Sequence, residues 1–193
     1  DEATQIIRMV TRSRVDDETV AAIHEEVGGW ALGTVLAGLA LRDSDAPAGV
    51  AARGVASHRL FDDFFGAEIF GRLPLDIQAF LLDTCILELL DPDLCGHLTD
   101  RDDAIDVLRG LERDNVFTDW IGGYPPGFRY HAVFRTWLRA RLDDVRPTRA
   151  SELLRRAAAW TESRGRVADA IDFRLAAGDL AQAEALIVEY GPI

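Results

Sequence analysis

Apolar positions recur along most of the chain with a period near 3.6, the spacing of an amphipathic helix. Val20, Ile23, His24 and Val27 share one stripe. Asp16 stands where an N-cap belongs, Asp17 and Glu18 suit the first-turn dipole, and Gly28-Gly29 ends the segment. From Trp30 to about Leu41 the pattern is apolar on most faces and predicts a buried helix, followed by a Pro/Gly/Asp connection over 43–49 and a long helical stretch to about Phe70. Pro74 suits the first position of a further helix carrying Ile77, Phe80, Leu81 and Cys85. Asp91-Pro92 and Thr99-Asp100 are two more start signals, opening a short helix near Leu94 and another with Ile105, Leu108 and Leu111 on one face. After them Val116 to Ile121 is rich in β-formers, 122–127 reads only as a loop, and Phe128-Arg129-Tyr130 is a short return strand. Three helices and a β-hairpin in that order predict a winged-helix domain.

Helical spacing resumes at Val133/Trp137 and Phe134/Leu138/Leu142, and Arg146-Pro147 breaks it. Two stretches beginning at Gly165 and Gly178 then echo each other 13 residues apart, each a glycine stop before an alanine-rich helix start. Such spacing predicts closely packed helical hairpins of the TPR-like kind, which bury their faces only by stacking on further repeats. The expected architecture is therefore mainly α with one small β-hairpin: a helical region over 1–72, a winged helix over 73–146 and helical hairpins over 147–193.

Composition narrows the chemistry. With 48% hydrophobic residues the 193-residue chain can bury a core, while 21 basic against 33 acidic side chains leave a net charge of −12. That charge argues against binding through nucleic-acid phosphates. All the basic residues are arginine, so the phosphate loop GxxxxGK[ST], which needs a lysine, has no place here. No run approaches the roughly 18 to 20 apolar residues of a membrane span, and Asp1-Glu2-Ala3-Thr4 does not open a signal peptide, which predicts a cytoplasmic protein without a membrane partner. The absent Met and the opening in mid-helix pattern predict a piece of a longer chain. Cys85 and Cys95 lack zinc spacing and read as reduced, buried thiols. His24, His58 and His97 have no spaced ligand partner, so no metal site is expected, and no arrangement of nucleophile and base predicts an enzyme.

Charge is segregated. Residues 76–119 hold three arginines against twelve acids, and 129–156 hold eight arginines against three. The stripe of Arg135, Arg139, Arg141, Arg149, Arg155 and Arg156 can meet DNA, nucleotide phosphates or acids of its own protein; a face of intramolecular salt bridges is the favoured reading. The helix before the wing, Asp102 to Asp114, carries five acids, a face that repels phosphate.

Four segments resemble the MalT-like large ATP-binding regulators of the LuxR class, which are STAND-type signalling ATPases. His24-Glu25-Glu26-Val27-Gly28-Gly29-Trp30-Ala31-Leu32-Gly33 resembles their H-E-x-T-E-G-W-P-A-G-L segment, with Ala31 in place of the usual proline. The stretch from Phe80 to Glu88 resembles F-L-L-x-T-S-I-L-E, that from Tyr130 to Arg139 resembles Y-H-x-L-F-R-x-F-L-R, and the end at Ala176-Ala177-Gly178-Asp179 resembles A-L-A-A-G-D, all in the family's order. The resemblance implies a lid region, a winged helix and the start of a helical arm. It also implies a parent with a P-loop ATPase core, a downstream helical-repeat sensor and a C-terminal helix-turn-helix that alone meets DNA. ATP or ADP would then belong to the parent, with no tight nucleotide binding by these residues alone. His131, at a strand-to-helix junction, would reach a phosphate of bound ADP or else bond locally; Gly29 and Trp30 would sit near the nucleotide base, or Trp30 would anchor two helices.

Overall fold

The computed structural model describes residues 5, 8–10, 16–18, 20–21, 33, 35, 62–123 and 125–190. Of the expected buried helix from Trp30 only Gly33 and Val35 are described, both helical and Gly33 buried, while the Gly28-Gly29 stop and the 43–49 connection lie outside the described residues. Among the described residues the protein is mostly helical, at 71%, with one small antiparallel sheet. It divides into two compact units, 1–74 with 130–140, and 75–129 with 141–193.

In the first unit a helix opens after Asp16, whose carbonyl accepts from the amide of buried Val20 at 3.1 Å. Of the long helical stretch expected to run to about Phe70, residues 50–61 lie outside the described residues; Asp62 and Asp63 are α-helical, and the helix then widens into a π-helix, Phe64–Ile69, followed by a 3-10 turn, Phe70–Arg72. Buried Phe65 and Phe70 explain the departure. Their rings lie 5.7 and 5.4 Å from the Trp137 ring, and i→i+5 bonding brings residues five apart onto one face. Gly71 makes the close turn possible, since a Cβ there would stand 2.7 Å from the Gly66 carbonyl oxygen. The indole N–H of Trp137 donates to Asp62 at 2.9 Å.

The second unit begins with three helices in quick succession, α1 (Leu75–Thr84), α2 (Pro92–Thr99) and α3 (Ala104–Arg113). Asp91 caps α2, accepting from the Asp93 amide at 3.0 Å, with Pro92 in the first turn as its fixed φ requires. The second start signal is corrected. Asp100 closes α2 in the left-handed region, at φ 54°, and the Thr99 hydroxyl donates back to the Cys95 carbonyl, so α3 starts only at Ala104. Strands β1 (Thr118–Ile121) and β2 (Gly127–Tyr130) follow, and Leu90 pairs with Phe128 on the other side of β2 through bonds of 2.8 and 3.1 Å. Phe80, Leu81, Leu94, Leu98, Leu108 and Phe128 fill the centre of this winged helix.

Helix α4 (Ala132–Val145) ends before Arg146-Pro147, and α5 (Arg149–Ser163), α6 (Val167–Ala176) and α7 (Leu180–Tyr190) complete the described chain. Ala157, Ala158 and Ala170 are fully buried, which lets α5 and α6 approach closely. The two echoing glycines end α5 and α6 alike: the Gly165 and Arg166 amides donate to Glu162 and Thr161, and the Gly178 and Asp179 amides to Leu175 and Arg174. Both glycines have positive φ, 72° and 78°, with open space where a Cβ would go. Substitution therefore meets backbone strain alone. Gly165→Ala and Gly178→Ala should each cost about 1 kcal/mol, additively, in urea unfolding; an unchanged midpoint would show that these turns do not limit stability.

Candidate functional site

His131 follows β2 directly and precedes α4. Its carbonyl accepts from the Arg135 amide at 2.9 Å, so it holds the N-cap position. The residues flanking it are anchored: Tyr130 is 1% exposed and Phe134 is fully buried, with their rings edge to face 6.1 Å apart. Phe134 also stacks on Trp137 and touches Phe65. The backbone at His131 is thus set by aromatic packing, and the imidazole remains half-buried at the surface of its unit. Gly29 and Trp30, the other two expected nucleotide contacts, lie outside the described residues.

The arginine stripe resolves partly into ion pairs within the second unit. Arg149 grips Asp83 with two bonds of 3.2 and 2.5 Å, and Asp83 is buried. Arg156 donates to the His97 carbonyl at 2.5 Å and to Asp100 at 2.9 Å, and Arg155 pairs with Asp179 at 3.0 Å. Arg166, outside the stripe, binds Asp91 at 2.8 Å and Asp169 at 2.6 Å. The segregated charges are therefore complementary sides of one intramolecular contact. Sequence reasoning singled out neither Asp83 nor Arg166, and read Asp91 only as a helix cap. The charge imbalance was the only signal for an ion pair at Asp83 and Asp91, and Arg166 lay outside it, because the paired residues are 66 and 75 positions apart.

Beside these pairs, a cleft of about 670 Å³ opens between the end of α2, the start of α3 and α5, lined by Gly96, His97, Arg101, Ile105, Trp160 and Arg164. The Arg164 guanidinium lies 3.9 Å over the Trp160 ring, and the His97 ring is 6.3 Å from it. Desolvation, then the Arg156 charge, hold the His97 imidazole below its ordinary pKa against an opposite pull from Asp100, with Arg164 adding a smaller push downward. Cys85 and Cys95 are free and buried, and burial pushes the Cys95 thiol upward. Among the described residues no three His, Cys, Asp or Glu side chains converge as metal ligands. A lowered His97 pKa means the unfolded chain binds the proton more tightly, so this contribution to stability is present above about pH 6.5 and is lost as pH falls toward the depressed folded value. Urea unfolding at pH 7.5 and 5.5 should therefore show a larger acid loss in the parent chain than in His97→Gln; equal losses would sink the assignment.

Residues 66–150 match the MalT winged helix domain family. Over 188 residues, 97% of this chain and 17% of the relative, the chain is 29% identical to the serine/threonine-protein kinase PknK of Mycobacterium tuberculosis. It is 27% identical to the HTH-type transcriptional regulator AlkS of Pseudomonas putida over 93% of its length and 19% of that protein's. With the HTH-type transcriptional regulator MalT of Yersinia enterocolitica the identity is 29% over 86% of this chain and 19% of the relative. The chain thus spans about a fifth of the length of the curated relatives it matches. No described helix is long and apolar enough to cross a membrane. The elements from α1 to β2 all lie within residues 66–150, which are similar to the MalT winged helix domain, and most of the chain is similar to regulators named MalT and AlkS.

Proposed function

We propose that this chain is the regulatory relay of a large ATP-binding transcriptional regulator. Its helical region and winged helix hold a nucleotide-bound resting state against a P-loop core elsewhere in the parent, and its helical hairpins pass on inducer binding from a downstream repeat domain. The observation that carries this reading is the breadth of the similarity. Nearly the whole chain aligns both with proteins named as HTH-type regulators and with one named as a kinase, so the shared segment suits control better than a particular output. ATP or ADP, the DNA-binding helix-turn-helix and a cytoplasmic setting go with the parent in this reading, and the segment is not itself an enzyme. His131, with Gly29 and Trp30, is the proposed nucleotide contact.

A DNA-binding role for the winged helix is disfavoured by its own charges. Asp102, Asp103 and Asp106 are exposed at the start of α3, and Arg149, Arg155 and Arg156 are engaged by aspartates. Mobility shift at low salt should show at most weak, non-specific retention of duplex DNA; a discrete complex would favour the DNA-binding reading.

In the full-length regulator, His131→Ala should weaken ADP binding and raise output without inducer. Loss of one hydrogen bond to a charged phosphate removes about 1.5–3 kcal/mol from the closed state, a bias of roughly ten- to a hundred-fold toward the open one. If the imidazole only bonds locally, ADP affinity stays unchanged while the melting temperature falls. Measuring both on the same variant decides between these readings.

A further inference from the structure

Asp91 does two jobs with one carboxylate. One oxygen caps α2 through the Asp93 amide, and the other receives the Arg166 guanidinium from the turn between α5 and α6. Arg166 has little freedom to follow a moving partner. Its amide is bound to the Thr161 carbonyl, its own carbonyl accepts from the Ala170 amide, its Nε is held by Asp169, and the adjacent Gly165 completes the turn that ends α5.

Asp91 is equally constrained on its own chain. Pro92 fixes the following φ, and Leu90, the preceding residue, exchanges both backbone bonds with Phe128 of β2. Strand β2 is seated closely there: a Cβ on Gly127 would come within 3.0 Å of Leu89 and 3.1 Å of the Leu90 carbonyl oxygen. Three residues beyond Phe128 the chain reaches His131. From Arg166 to β2, each step is a short polar bond or a covalent neighbour.

We propose that the Arg166–Asp91 ion pair is the contact through which the helical hairpin α5–α6 controls the strand that presents His131. Displacing the hairpin must break the pair or carry Asp91 with it, and Asp91 cannot move without disturbing the Leu90–Phe128 pairing. The coupling is a property of this chain; its use in nucleotide sensing rests on the function proposed for His131.

Amide hydrogen exchange on the nucleotide-free chain tests the contact. Asp91→Asn keeps a good N-cap while removing the charge, and Arg166→Ala removes the other partner. Each variant should speed exchange of the Leu90 and Phe128 amides about two- to five-fold, the range expected for a partly exposed ion pair, while Ala157 to Thr161 in α5 exchange as before. The double variant should exchange no faster than either single one. Acceleration confined to 164–169, or additive effects of the two changes, would overturn the proposal. Should the amides respond as expected while His131→Ala leaves ADP affinity in the full-length regulator unchanged, the coupling stands and the nucleotide reading falls.

Discussion

The second unit depends on arginines of the helical hairpin reaching aspartates of the winged helix. Arg149 meets Asp83 at the end of α1, Arg156 meets Asp100 and a free carbonyl at the end of α2, and Arg166 meets Asp91 at its start. Helix α2 is therefore held at both termini by one pair of antiparallel helices. Exposed ion pairs contribute little, but the Asp83 carboxylate is about nine-tenths buried and bound by the two-pronged arginine geometry. Removing Arg149 would leave the buried Asp83 carboxylate with only the longer 3.6 Å contact to Arg146, so this pair constrains the fold through the cost of its loss.

That contact explains the chain's uneven charge. An acidic winged helix and an arginine-rich segment after it read separately as a surface that repels phosphate and one that attracts it. Folded together, much of the attraction is consumed internally, and the exposed acids of α3 remain. Arginine suits this use because its planar fork forms two directed bonds to a carboxylate, as Arg149 does.

Local features were legible in the sequence. The Asp91-Pro92 cap, the break before Pro147, the hairpin strands and the two glycine stops each depend on residues a few positions apart, where propensity and turn chemistry decide. The failures came where a distant group decided. Asp100 pointed to a helix start by residue type, yet Arg156 from α5 binds it while its backbone closes α2. The segment 64–69 had helical periodicity, and the need to seat both Phe65 and Phe70 against Trp137 widened it into a π-helix. The placement of His131 between a strand and a helix was legible, because the aromatics now buried beside it stood out as a stripe.

A winged helix is commonly read as a DNA-binding fold, and here the same scaffold presents acids where a recognition helix would present bases. The fold's useful property is mechanical. Leu90 ties the start of α2 to β2 by two backbone bonds, so the helix that the hairpin grips and the strand that leads to His131 share a single pairing. Backbone bonds of this kind are short and directional, and Leu90 and Phe128 sit in a close-packed interior with little give, so a shift of one is passed to the other. Among the described residues the sheet is two strands and one bridge wide, so the coupling runs through few parallel paths.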